Sequence, residues 1–225
     1  MYMRCSLYSI VFTRLIKRPG DLNKFDINFI VRQGDLVYKS LKTDEQIIFC
    51  DLPKNISVLE SPFKISSLDN KYGFLNPGQS MSFLFQNKHT SFNPGDGILF
   101  LIKGYCMSFI PRKNAIFLFD SYSRNILGQP IPDGFSIFIK FKTKNDAEKY
   151  ILETYVTAQD INIQYEIQSI SVEQLDDSNL SNRYRLITDK ERKKDPESKK
   201  KASERNKTES YRNKSCERKK KGRQS

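Results

Sequence analysis

The order of elements predicts an α+β domain in which N-terminal helices pack on a mostly antiparallel sheet, with a disordered basic tail appended. Three observations carry that reading. Apolar residues recur at helical spacing near the N-terminus. Between residues 98 and 141 the chain reads as four short apolar strands divided by Gly, Pro and Asn turns. Nearly all of the net charge of +12 lies after residue 182.

The first helix rests on Leu7, Ile10, Val11 and Leu15, with Ser6 as its cap and Pro19-Gly20 as its stop. A second helix is expected over residues 23–32, with Phe25, Phe29 and Ile30 on one face. Gly34-Asp35 should break it, and Leu36, Val37, Tyr38 and Leu41 predict another turn or two. Residues 47–50 read as a short strand closed by Asp51-Leu52-Pro53, because proline cannot donate to a ladder. Pro62, Gly73, Pro77 and Gly78 make 60–79 a loop, and 80–88 a helix after it. The cluster Asn93-Pro94-Gly95-Asp96-Gly97 is a turn. Strands follow at 98–103, 105–110 and 115–120, the last two joined through Arg112-Lys113-Asn114. After a loop at 128–134 comes a strand at 135–141, with Phe138 among its polar alternates, which implies burial on both faces. Thr143 or Asn145 caps a helix at 145–156. A last strand spans 161–172, where Ile161, Ile163, Tyr165 and Ile167 alternate with polar residues. Helices and then strands of this kind pack as two layers. The domain is drawn as 1–172, an acidic linker as 173–182 and the tail as 183–225.

Composition excludes several classes. No apolar run is long enough to cross a membrane as a helix, and none makes a convincing signal peptide. The four cysteines (Cys5, Cys50, Cys106 and Cys216) have neither disulfide-framework nor zinc spacing, so a reducing compartment, nucleus or cytoplasm, is expected. With His89 the sole histidine, no metal and no cofactor is expected.

Residues 183–225 hold 18 Lys/Arg against 7 Asp/Glu, a net of +11, which leaves +1 for everything before them. Glu-Arg recurs at 191–192, 204–205 and 217–218, a period of 13 that cannot keep one helix face. Apolar content nearly vanishes after Ile187, so this segment lacks the burial needed to offset its ordering entropy. The clusters Lys199, Lys200, Lys201 and Arg218, Lys219, Lys220, Lys221, Arg223 fit either polyanion binding or nuclear import; a solubilising tail without a target is the alternative.

The residues that point to chemistry lie at the end of the third apolar strand: Phe119-Asp120-Ser121-Tyr122-Ser123-Arg124. Cys5-Ser6-Leu7-Tyr8 on the first helix, Gly34-Asp35-Leu36-Val37-Tyr38, Asp51-Leu52-Pro53 and Pro132-Asp133-Gly134-Phe135-Ser136 accompany them in order. This ordered set resembles the papain-like cysteine peptidases of the herpesvirus large tegument type, which cleave ubiquitin conjugates. Ovarian-tumour-type deubiquitinases are a neighbouring family. The resemblance covers about residues 1–172 and implies a papain-like fold and a ubiquitin or ubiquitin-like partner. In the family the strand ends Phe-Asp-Ser-His-Ser-Arg, with Asp and His both catalytic, and a Gln-Cys pair opens the first helix.

Carried over residue by residue, Asp120 keeps its family position, Tyr122 stands where the His would be, and Tyr2 stands where the nucleophile would be. A helix N-terminus lowers a thiol pKa and an Asp-oriented His activates it. A phenol that titrates at about 10 does neither near neutral pH. The resemblance therefore implies a degenerate copy without peptidase activity that keeps ubiquitin binding. A gene start truncated ahead of the nucleophile is another origin for the same substitution. Two alternatives stay open: an active thiol peptidase using Cys5 with His89, and a mobile-element-derived protein that binds nucleic acid through its tail. Cys5 also reads simply as a small packed residue, and Asp120 as a turn former. Oligomeric state is not legible.

Overall fold

The structure, a computed structural model, describes residues 2–40, 52–85, 96–125 and 127–194. The elements in order are α1 (Tyr2–Leu15), α2 (Lys24–Ser40), β1 (Asn55–Val58), β2 (Ser61–Leu75), β3 (Gly97–Ile102), β4 (Tyr105–Arg112), β5 (Ala115–Arg124), β6 (Phe135–Phe141), α3 (Lys144–Tyr155), β7 (Ile163–Gln174) and α4 (Leu180–Lys194). The strands form one sheet in the order β1-β2-β7-β3-β4-β5-β6. Every pairing is antiparallel. The expected α+β class holds. Residues 1–178 form one compact unit, and α4 belongs to a second, 179–225. In α4, Asn179 accepts the Asn182 amide, the bond of a helix N-cap.

The sheet buries both faces. Ile98, Phe100, Met107, Phe109 and Leu118 point to one side, where they pack with Ala147, Ile151 and Tyr155 of α3. Their alternates face the other side, where α1 lies on β3, β4 and β5 and α2 lies on α1 and β6. The domain thus has a helical layer on each face, one more than the two layers expected. Phe138 of β6 packs its ring against Phe117 and Phe119, as its place among polar alternates implied.

α1 is buried on all sides from Met3 to Thr13, which only a central helix can be. Three of its small polar residues make this tolerable, because each finds a partner. Ser6 Oγ donates to the Cys106 carbonyl (3.1 Å), Ser9 Oγ shares a hydrogen bond with Ser108 Oγ (2.6 Å), and Thr13 Oγ1 donates to the Ser9 carbonyl (2.8 Å). Ser6 is therefore an interior residue that ties the helix to β4, not the cap, since α1 begins four residues earlier.

Three further expectations are corrected. Gly34-Asp35 does not break α2, which runs unbroken from Lys24 to Ser40. A Cβ at Gly34 would lie 2.6 Å from Cys5 Sγ and 2.7 Å from Cys5 Cα, so the glycine serves the close approach of two helices. The expected loop at 60–79 is mostly β2, fifteen residues long. Pro62 sits at its start, where its carbonyl accepts the Leu175 amide, and Gly73 lies under the Tyr165 hydroxyl. The expected helix at 80–88 is a 3-10 turn at Ser82–Phe85 in its described part. The expected strand at 47–50 lies outside the described residues. Thr143 caps α3 in a full capping box with Asp146. Lys103 and Gly104, both with positive φ (51° and 79°), make the two-residue turn from β3 to β4.

Candidate functional site

Pairing register brings the start of α1 and the end of β5 to one end of the sheet. Ser6 meets Cys106 near the start of β4, and Arg112 at its end reaches the Thr13 carbonyl (3.5 Å), so α1 runs alongside β4 in the same direction. β5 runs the other way and pairs Asp120 with Met107. Asp120 and Tyr122 therefore lie at the end of the sheet where α1 begins. Tyr2 is the first residue of that helix.

The surroundings of Asp120 are a closed polar cluster. Sharing a face with Met107, its carboxylate points to the α3 side, where it is fully buried. Oδ1 accepts the Tyr122 amide at 2.8 Å. Oδ2 accepts Arg124 Nε at 2.7 Å and the Tyr155 hydroxyl at 2.5 Å. Arg124 is itself only 1% exposed. Its Nη2 donates to Tyr155 Oη, and its guanidinium lies 4.8 Å from the Tyr155 ring centroid and 5.5 Å from that of Tyr105. Burial pushes the Tyr155 phenol far above its ordinary value, and the Asp120 charge pushes it further, so it acts as a donor. Burial alone would lower the Arg124 guanidinium, but Asp120 and Tyr155 hold it above its ordinary value. Two buried charges with matched hydrogen bonds satisfy each other; either one alone would not be tolerated.

Tyr122 follows at the strand end. Its hydroxyl donates to the Gly104 carbonyl (2.7 Å) in the β3–β4 turn, and its ring meets Tyr105 edge-on with centroids 4.7 Å apart. Tyr105 in turn meets Tyr155 at 5.3 Å. Next to Asp120, then, stands an aromatic stack of Tyr122, Tyr105 and Tyr155.

Cys5 lies elsewhere. It is 1% exposed, its thiol directed at the Val31 carbonyl (3.7 Å) and Asp35 Oδ1 (4.0 Å) of α2. Burial first, and the Asp35 charge second, push that thiol up to about 12, so it is protonated at neutral pH. The α1–α2 contact that holds it is separate from the β5–α3 contact that holds Asp120. Cys106 is buried as well, its thiol raised by burial to about 12. His89, Lys199, Lys200, Lys201, Arg218, Lys219, Lys220, Lys221 and Arg223 lie outside the described residues. Among the described residues no three His, Cys, Asp or Glu side chains converge on a point where a metal could bind. Two grooves, of about 530 and 610 Å³, lie along α3 and beside β2, and neither is lined by Asp120, Tyr122 or Cys5.

Sequence reasoning missed Arg124, Tyr155 and Tyr105 as members of the cluster. Arg124 stood in the quoted motif, and an arginine four residues past an aspartate at the end of an apolar strand was a usable signal. Tyr155 had none, because it comes from a helix 35 residues on and reaches Asp120 only through tertiary packing.

No protein-family model matches the chain, and no curated protein does. Among solved structures it is similar to the ubiquitin-specific protease encoded by murine cytomegalovirus tegument protein M48, in complex with a ubiquitin-based suicide substrate. The TM-score is 0.58 at 12% identity, over 86% of this chain and 87% of that one. At that identity the likeness is one of fold.

Proposed function

We propose that this chain is a degenerate deubiquitinase-like domain that binds ubiquitin or a ubiquitin-like protein without cleaving it. The fold it shares with a viral ubiquitin-specific protease supports the partner. One observation carries the loss of chemistry: both oxygens of Asp120 are engaged by Tyr122 N, Arg124 and Tyr155, where a peptidase needs an aspartate free to orient an imidazole. Position 122 offers no imidazole, and the Cys5 thiol is buried and protonated. Nucleophile, base and orienter must touch for thiol catalysis, and the Cys5 thiol is turned to Val31 and Asp35 of α2 instead of to Asp120 or Tyr122.

The test is incubation of the full chain with ubiquitin carrying a thiol-reactive C-terminus, read by intact mass, beside a titration of isotope-labelled ubiquitin. No adduct and a saturable set of shifts are expected. An adduct that maps to Cys5 would sink the inactive reading, and absence of shifts would sink the partner. A second reading rests on the charge division, +11 over residues 183–225 against +1 before them. It holds that the tail binds nucleic acid with a steep dependence on salt.

A further inference from the structure

The excursion between β5 and β6, described at residue 125 and residues 127–135, combines two properties. It is tightly hydrogen-bonded, and it holds large apolar side chains out to solvent. Leu127 is 72% exposed, Phe135 50% and Ile131 37%. Within residues 125–136 the sole charged residue is Asp133.

Hydrogen bonds order the described residues of the loop. Asn125 Oδ1 accepts the amides of Leu127 and Gln129, both at 2.9 Å, and its own amide donates to the Gln129 carbonyl (2.8 Å). The Ile131 amide donates to the Ser123 carbonyl. Ser123 Oγ donates to the Pro132 carbonyl (3.1 Å) and accepts the Gly134 amide. From α3, the Tyr150 hydroxyl donates to the Gly128 carbonyl (3.0 Å). Both glycines are demanded by contact: a Cβ at Gly128 would lie 2.6 Å from Tyr150 Oη, and one at Gly134 would lie 2.3 Å from the Arg124 amide. The Asp120–Arg124 pair thus fixes the strand end from which the loop springs, and Gly134 seats the loop on Arg124.

On a hydrogen-bonded frame the backbone beneath these side chains is already ordered, so binding does not have to order it. A flexible loop would fold such residues inward; a rigid one keeps them available.

We infer that this excursion is the surface on which the chain seats ubiquitin, through an apolar and nearly uncharged contact in which Leu127, Ile131 and Phe135 are the anchors. The inference rests on the ubiquitin-binding reading above. Position favours it, because the loop issues from the sheet end shared by Tyr122 and the start of α1. Charge favours it too, because a body of net +1 offers little electrostatic steering.

The test uses the full chain, isotope-labelled ubiquitin and two sets of substitutions. Leu127→Asp, Ile131→Asp and Phe135→Asp together are expected to weaken binding by roughly tenfold or more, as loss of central anchors does. Tyr72→Asp with Phe74→Asp, on the distant strand β2 where these rings are 82% and 63% exposed, should leave affinity within about twofold. All five sites are exposed, so both variants should melt as the parent does. Raising salt from about 0.05 to 0.5 M should change affinity by less than about threefold, because apolar contacts are not screened. If the parent chain does not bind ubiquitin, the functional reading and this surface fall together. If it binds and the loop variant binds equally well, or if salt abolishes binding, the surface alone is wrong and the functional reading stands.

Discussion

Asp120 and Cys5 are both wholly enclosed, yet opposite physics encloses them. A carboxylate leaves water only when other groups replace water's hydrogen bonds, and Asp120 has a guanidinium, a phenol and an amide for this. A thiol is neutral at physiological pH and behaves as a small apolar group, so Cys5 needs nothing beyond close packing, which α2 supplies through Gly34. The polar site is specific and brittle: each partner there is required by the others. The packed site is generic and depends on volume. A titratable residue can thus be enclosed by permanent partners, as Asp120 is, or by close packing, as Cys5 is.

The sharpest way to break that comparison is to remove the charge at Asp120. Asp120→Asn leaves the Arg124 guanidinium buried with no counter-charge, which should cost about 3–5 kcal/mol of folding free energy. The measurement is the urea midpoint at constant m-value. Adding Arg124→Met should recover much of the loss, because the stranded charge goes with it. A cost under about 1 kcal/mol for Asp120→Asn would mean that water or another group reaches the cluster, and the description of a closed site would fail.

Gly34→Ala probes the packed site and should cost less. Alanine gains about 1 kcal/mol of helix propensity over glycine. Against this, the added methyl would sit 2.6–2.9 Å from Cys5 Sγ, Cα and N. Overpacking of this kind typically costs about 1–3 kcal/mol, so a net loss of about 1 kcal/mol is expected. Cys5→Ala in the same chain should relieve only part of it, since two of the three clashing atoms belong to the backbone. Full rescue by Cys5→Ala would show that the thiol alone sets the helix spacing.

The same contrast explains what was legible in the sequence. Strands β3 to β6 and helix α3 stand out because apolar alternation, turn residues and the Thr143 cap are local signals, and local signals agreed with the fold. Gly34 and Gly73 misled because glycine marks both a turn and a close contact. Here the contacts are with Cys5 and Tyr165, 29 and 92 residues away, which no local window contains. The enclosure of Cys5 was readable in outline, since a cysteine at helical spacing among apolar residues suggests packing. The Asp120 cluster was only half readable. Its aspartate and arginine lie four residues apart on one strand, but Tyr155 arrives from another element, and a cluster closed by a distant residue looks open in the sequence.

The smallest effect is the most informative about function. Tyr122→Phe removes one hydrogen bond, to the Gly104 carbonyl at the margin of the cluster, and should cost about 0.5–1 kcal/mol. Tyr122→His restores the residue type that the family resemblance implies at this position, and it should restore nothing else. The new imidazole would find Asp120 Oδ2 already bonded to Arg124 and Tyr155, with Oδ1 held by the backbone at residue 122. The Cys5 thiol would remain protonated against α2. Cleavage of a fluorogenic ubiquitin substrate by Tyr122→His should therefore equal the buffer blank, while ubiquitin affinity stays within about twofold of the parent, because position 122 lies outside the apolar anchors of the loop. Measurable turnover by this single variant would show that Asp120 can exchange its partners for a histidine, and the distinction between a carboxylate locked by partners and a thiol locked by packing would dissolve.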